Sequence, residues 1–167
     1  MTLVADTSGL VSLASTAESR SVAVPLLFDS YAVTVPTQVI DELETMATYD
    51  DSHGVAAAAI LERQSQLTVE SVTLTEPFPL DEGEHAVVQL ANQLDAAFCY
   101  CDEFTQLALI HASLSETRLV TTPRLLNSFV VRGECSNTEA KALLSAIADR
   151  RSWAGNAYVQ QATALFD

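Results

Sequence analysis

Short apolar runs that alternate with segments of helical period constrain this chain more than any other feature. Thr2–Ala5, Ala32–Val35, Leu67–Leu74, Ala96–Tyr100 and Arg118–Thr121 read as strands, and amphipathic stretches separate them. Parallel strands require such crossovers, and strands covered on both faces read as near-continuous apolar runs. The pattern predicts an α/β fold, a three-layer αβα arrangement around a mostly parallel central sheet with right-handed crossovers.

The helices are expected where apolar residues recur at three and four. Ser21–Tyr31 carries Pro25 in its first turn, and Thr37–Ala47 turns Val39, Ile40, Leu43 and Met46 inward. The alanine-rich stretch that runs to Gln66 follows a DDSHG turn at 50–54, and Thr105–Ala112 forms a later helix. From Pro123 onward the pattern is wholly helical, with Gly133 as a stop and Ser136 with Glu139 as a capping box. No linker, repeat or low-complexity tract interrupts it. Residues 1–167 therefore read as a single domain, an αβ core over 1–122 with a helical extension over 123–167.

The stretch LDEGEHAVVQLANQLDAAFCYCDE at 80–103 concentrates the chemistry. Asp81 followed three residues on by Glu84 marks a helix start. At about 100° per residue Glu84 projects between Val88 and Ala91, on an apolar side, whereas Glu82 shares its direction with Gln89 and Gln93. Asp102 and Glu103 stand where the strand ending at Tyr100 exits, and Asp6 stands likewise after Ala5. Each acid alone could be a cap: Asp81 with Glu84 as a capping-box variant, Asp102 as the N-cap of the next helix. Acids at several strand exits, gathered on one edge of a parallel sheet, are more than capping needs. Such carboxylates raise one another's pKa unless a cation neutralises them, and an oxygen-only set favours Mg²⁺ or Mn²⁺. That chemistry suits phosphodiester hydrolysis. Among Asp41, Glu42 and Glu44, periodicity alone does not choose.

Charge and cysteine content narrow the classes further. Eight basic against 22 acidic residues give a net charge of -14, and Lys141 is the only lysine. Such a balance fits either a partner that is itself basic or a halophile-like acidic surface screened by high salt, and the spread of the acids along the chain favours the second. Cys99, Cys101 and Cys135 are an odd set without a CxxC pair and are expected as small core residues in a reducing compartment. His53, His85 and His111 are too scattered for a zinc cluster. No apolar run is long enough to span a membrane and the N-terminus lacks a signal-peptide pattern, so a cytoplasmic protein is expected. No GxGxxG follows the first strand, which argues against dinucleotide binding. Asp6-Thr7-Ser8 lacks the second aspartate of an aspartyl phosphotransferase.

With these residues in view, the chain resembles the PIN-domain nucleases, including toxin ribonucleases of the VapBC type and a subgroup with a C-terminal helical extension. Asp6 with Ser8 nearby matches the family's first acid, and Glu42 in VTVPTQVIDEL looks like its helical glutamate. Glu84 in LDEGEHAVVQLA matches the third acid, and Asp102 the fourth, with Glu103 where relatives carry a second aspartate. The resemblance spans nearly all of 2–122. It implies a Mg²⁺- or Mn²⁺-dependent endoribonuclease with Asp6, Glu42, Glu84 and Asp102 as catalytic and metal-binding residues, Glu103 as a further ligand and Ser8 in support. It also implies an RNA substrate, a homodimer, and an antitoxin protein as partner. Relatives often carry a basic residue after the last acid, whereas Phe104, Thr105 and Gln106 follow here. Arg118, Arg124 and Arg132 are then the candidates for phosphate contacts. That departure also keeps open a PIN-like regulatory module that binds a protein partner without catalysis.

Overall fold

A computed structural model describes residues 1–18, 22–74 and 76–167. Five strands, β1 (Thr2–Ala5), β2 (Ala32–Pro36), β3 (Thr68–Glu70), β4 (Phe98–Tyr100) and β5 (Arg118–Val120), pair in the order β3-β2-β1-β4-β5. Every pairing is parallel, so the sheet is parallel throughout. β1 lies at its centre with Leu3, Val4 and Ala5 wholly buried, as an apolar run covered on both faces must be.

The chain moves outward from β1 to β2 and β3, then returns across the sheet to β4 and moves outward again to β5. The order therefore reverses between β1 and β4. In open α/β sheets ligands bind beyond the carboxyl ends of the strands at such a reversal, because neighbouring crossovers part there and leave a crevice.

The helices are α1 (Thr7–Ala14), α2 (Ala23–Ser30), α3 (Thr37–Met46), α4 (Ser52–Leu61), α5 (Glu82–Gln93), α6 (Leu107–Ser113), α7 (Thr122–Val131), α8 (Asn137–Arg150) and α9 (Ala157–Ala162). α5, which links β3 to β4, packs on β1, β2 and β4 through Ala86, Val87, Leu90 and Ala91. α1 packs against α2, α3, α4 and α7, and α8 packs on α7. Gly133 takes φ 74° just past α7, and Ser136 with Glu139 forms a full capping box on α8. Trp153 and Tyr158 of the extension meet Phe104, at 4.9 and 5.4 Å between ring centroids, and so fasten the extension to the loop after β4.

Several boundaries differ from the sequence reading. The run Leu67–Leu74 pairs only over Thr68–Glu70, because its single neighbour β2 ends at Pro36, opposite Glu70, and turns into α3. β4 begins at Phe98 rather than Ala96, and β5 ends at Val120. α4 starts inside the expected DDSHG turn, since the Asp51 carboxylate accepts from the backbone N–H of His53 and Gly54, each at 2.9 Å. It ends at Leu61, short of Gln66, where a short 3₁₀ turn over Gln64–Gln66 takes over. α6 opens at Leu107 rather than Thr105. α2 spans Ala23–Ser30 with Pro25 in its first turn, and Ser21, the expected start, lies outside the described residues. Cys99 and Cys101 are buried and Cys135 partly so, all as free thiols.

Candidate active site

Because each helix follows its strand directly, α1, α3 and α7 begin at the carboxyl edge of the sheet. Their N-terminal N–H groups and the positive ends of their dipoles face the same crevice, which favours anions there. Asp6 sits at the reversal itself. Its backbone N–H donates to the Tyr100 carbonyl at 2.8 Å, and its carboxylate caps α1 by accepting from the Ser8 N–H at 2.9 Å and from the Ser8 hydroxyl. The Cys101 thiol lies 3.6 Å from the same oxygen, Oδ2, which leaves Oδ1 as the oxygen those contacts do not use. Ser8 Oγ also accepts from the Asp102 N–H at 3.0 Å, so one hydroxyl ties the exits of β1 and β4 together.

Glu42, in the second turn of α3, accepts from the Thr7 hydroxyl. It reaches across to the first turn of α5, where Gly83 makes room for it. A Cβ at position 83 would stand 2.0 Å from Glu42 Oε1. Glu84, the next residue, is buried, while Glu82 is exposed. Asp81 and Glu84 form a complete capping box, the Glu84 N–H donating to Asp81 Oδ1 at 2.8 Å and the Asp81 N–H to Glu84 Oε2 at 3.3 Å. Glu84 therefore closes its own helix and also faces the other acids.

Asp102 behaves differently. Its carboxylate turns to the start of α7, accepting from the Thr122 N–H at 2.7 Å and the Thr122 hydroxyl at 2.5 Å. It does not cap the following helix, whose N-cap is Gln106. The Tyr100 hydroxyl joins this cluster at the Gly9 carbonyl, 2.8 Å, and at Thr122 Oγ1, 2.5 Å. Glu103 is half-buried, accepts from the Thr105 hydroxyl at 2.6 Å, and places its charge within reach of Glu84.

Electrostatics separate the two groups in the same way. Burial raises Asp6 above its usual range, with the charge of Asp81 adding to it against the Ser8 hydrogen bonds. Burial raises Glu42 as well, with Asp6, Asp81 and Glu82 contributing. Glu84 is pushed up to about 7 by burial and by Asp81, with Asp6 and Glu103 adding to the effect. Asp102 is pushed up to about 6 by burial, against the Thr122 donors and the charge of Arg151. The acids of the crevice feel one another, whereas Asp102 feels a cation.

Arg151, at the end of α8, is a residue that sequence pattern did not reveal. Its guanidinium lies 5.9 Å from the Trp153 ring centroid, and its Nε is buried without a hydrogen-bond partner. Nothing near Asp102 in the chain points to it, since the extension brings it back from 49 residues away. Of the three arginines expected to meet phosphate, Arg124 stands exposed in the first turn of α7, beside His111, Thr121 and Tyr158. Arg118 opens β5 at the far edge of the sheet. Arg132 caps the other end of α7, where it pairs with Glu134 at 3.1 Å and lies over the Tyr31 ring. Gly83 had a signal, a helix-weakening residue inside a first turn.

Among the described residues, no three His, Cys, Asp or Glu side chains stand close enough together to enclose a metal ion as now arranged. The donor chemistry nonetheless fits a hard divalent cation. Asp6, Glu42, Glu84 and Glu103 are oxygen donors, and the first three are raised by burial and by the charge of Asp81, the state a cation relieves. Glu42 and Glu84 are held by a hydroxyl and a backbone N–H, which side-chain rotation alone can release.

A family model, DUF3368, described as a PIN domain, matches residues 2–167. No curated protein matches the chain. No helix among the described residues is long and apolar enough to cross a membrane.

Proposed function

The chain belongs to the PIN-domain family, generally nucleases that use divalent metals, and from that premise we propose that it is a Mg²⁺- or Mn²⁺-dependent endoribonuclease. What supports the reading is the electrostatic coupling of Glu42 and Glu84 to Asp6, and of Glu84 to Glu103, beside the β1/β4 reversal. These four would hold the metal. When bound, it would lower the pKa of a coordinated water and offset charge on the phosphoryl oxygens.

The chain's own residues do the rest. Ser8 orients Asp6 and Thr7 orients Glu42, so both carboxylates are aimed by α1 before any ligand arrives. Asp102, engaged on both oxygens by Thr122, acts as the clasp that fixes where Glu103 emerges from β4. The N-termini of α1, α3 and α7 favour a phosphate that a net charge of -14 would otherwise repel. Arg124, exposed in the first turn of α7, and Arg151, beside Asp102, would serve as phosphate contacts in place of the missing basic residue after Asp102.

The test is cleavage of structured RNA with Mn²⁺, Mg²⁺ or EDTA, at low and at molar KCl, by the wild type, Asp6→Asn and Glu84→Gln. The expected outcome is metal-dependent cutting that falls at least ~100-fold in both variants while their folded spectra persist. Folded wild-type chain that cuts nothing under any of these conditions would overturn the proposal. If cutting is seen, growth arrest on expressing wild type but not Asp6→Asn would support a toxin role.

A further inference from the structure

A cleft of about 380 Å³ opens beside Glu42, between α3 and the N-cap of α5. It is lined by Asp41, Glu42, Thr45, Met46, Tyr49 and, across from them, Asp81. Tyr49 is 51% exposed, so one side of its ring is open to the cleft. Its backbone is firmly placed: its N–H donates to the Met46 carbonyl at 3.0 Å. A Cβ on Gly54 would stand 2.0 Å from the Tyr49 carbonyl oxygen and 3.1 Å from that of Met46. The first turn of α4, capped by Asp51, is thus pressed against the chain that carries the ring. A ring in water on a fixed backbone loses little freedom when something stacks on it.

The lining limits what that can be. Phosphate is excluded, because Asp41, Glu42 and Asp81 all face the hollow. An aliphatic side chain would cover Met46 and Tyr49 but strip water from carboxylates and give them nothing in return. A flat aromatic ring with amino donors on its edge meets both demands, its face on Tyr49 and Met46 and its edge toward the carboxylates.

We propose that this cleft is a nucleobase subsite, which takes one unstacked base with an amino-donor edge next to the phosphodiester at the acids. The inference rests on the nuclease reading, since it supplies the nucleic acid. Guanine, adenine and cytosine carry exocyclic amino groups. Uracil does not, and its single ring donor is flanked by carbonyl oxygens that the carboxylates repel, so it is the disfavoured base.

The test uses short oligoribonucleotides that contain one 2-aminopurine, a fluorescent base with an amino donor that is quenched on stacking. Titrations run in EDTA, where nothing is cut, and again with Mn²⁺ on the Asp6→Asn chain. Saturable quenching is expected with wild type, weakened about 10-fold by Tyr49→Ala and within about 2-fold of wild type for Tyr49→Phe. Oligocytidine should compete better than oligouridine. Tyr49 is half exposed, so the melting curve of Tyr49→Ala should lie close to wild type, and Tyr49→Phe, which keeps the ring, shows whether the loss is local. Equal binding by Tyr49→Ala, or no quenching with folded wild type in either titration, overturns the subsite. Tyr49-dependent quenching without RNA cleavage in any metal would keep the subsite and refute the nuclease reading. Cleavage with no Tyr49-dependent quenching would do the reverse.

Discussion

Replacing Gly83 with alanine separates position from stability at the candidate site. The new Cβ would stand 2.0 Å from Glu42 Oε1, 2.8 Å from Cδ and 3.1 Å from Oε2. To regain ordinary contact of 3.4 Å the carboxylate must move by about 1.4 Å, away from α5. The atoms displaced are the far end of a flexible side chain, so the fold itself is not strained. Alanine in a helix gains about 0.5–1 kcal/mol over glycine, whereas losing the Thr7 bond to Glu42 costs about 1.5 kcal/mol, at the low end for a charged acceptor that is only half-buried. The net is a loss of about 1 kcal/mol or less, a fall in Tm of roughly 2–4 °C for a chain of this size. Catalysis should suffer far more, because misplacing a catalytic group by about 1 Å can cost ~100-fold. Thermal melts and RNA cleavage on Gly83→Ala and Glu42→Gln would measure both effects. Wild-type cleavage by Gly83→Ala would refute the argument that Glu42 acts from beside α5. A Tm drop several times larger would show that the first turn of α5 depends on the glycine in some other way.

Two further outcomes follow from the same geometry. Without metal, the folded chain holds protons on Glu84 up to about pH 7, where an unfolded glutamate of ordinary value 4.5 has released its own, and Asp6 and Glu42 are raised likewise. Stability should therefore fall as pH rises from about 4.5 through 7, and Mn²⁺ should raise Tm more at pH 8 than at pH 5. Melts at constant ionic strength, in EDTA and in Mn²⁺, decide this, and a flat profile in EDTA would contradict it. Asp102→Ala should cost about 1–3 kcal/mol by orphaning the buried Thr122 N–H, whereas Glu103→Gln should leave Tm within about 1 °C and weaken metal-dependent cutting. Denaturant curves beside Mn²⁺ titrations of both variants would show whether the two neighbours divide the labour in this way.

Much of the architecture was readable in the sequence because a parallel sheet writes itself as apolar runs. Leu3–Ala5 and Val33–Val35 are buried on both faces and look it. The pattern overstates the third strand because Leu67–Leu74 alternates well beyond the point where Pro36 ends its neighbour β2, and local pattern carries no news of a partner's end. At the site, Glu84 was legible from its apolar direction and is buried, yet it also closes the capping box that a purely structural reading would assign it. Both readings describe the same carboxylate. The orientation of Asp102 toward Thr122 was not legible, since it depends on where α7 docks, and neither was Arg151, which reaches the same corner through the packing of α8 on α7.

The clamp of Trp153 and Tyr158 on Phe104 bears on the order in which the molecule is finished during synthesis. The loop that displays Asp102 and Glu103 leaves the ribosome about 50 residues before the aromatic rings that hold it. Until those rings arrive, the acids after β4 are held only through Asp102, at Ser8 and Thr122, while Asp6, Glu42 and Glu84 already have their partners in α1 and α5. The extension, made after the acids it helps to brace, thus completes one corner of the crevice, and a nascent chain that still lacks it carries an unfinished one.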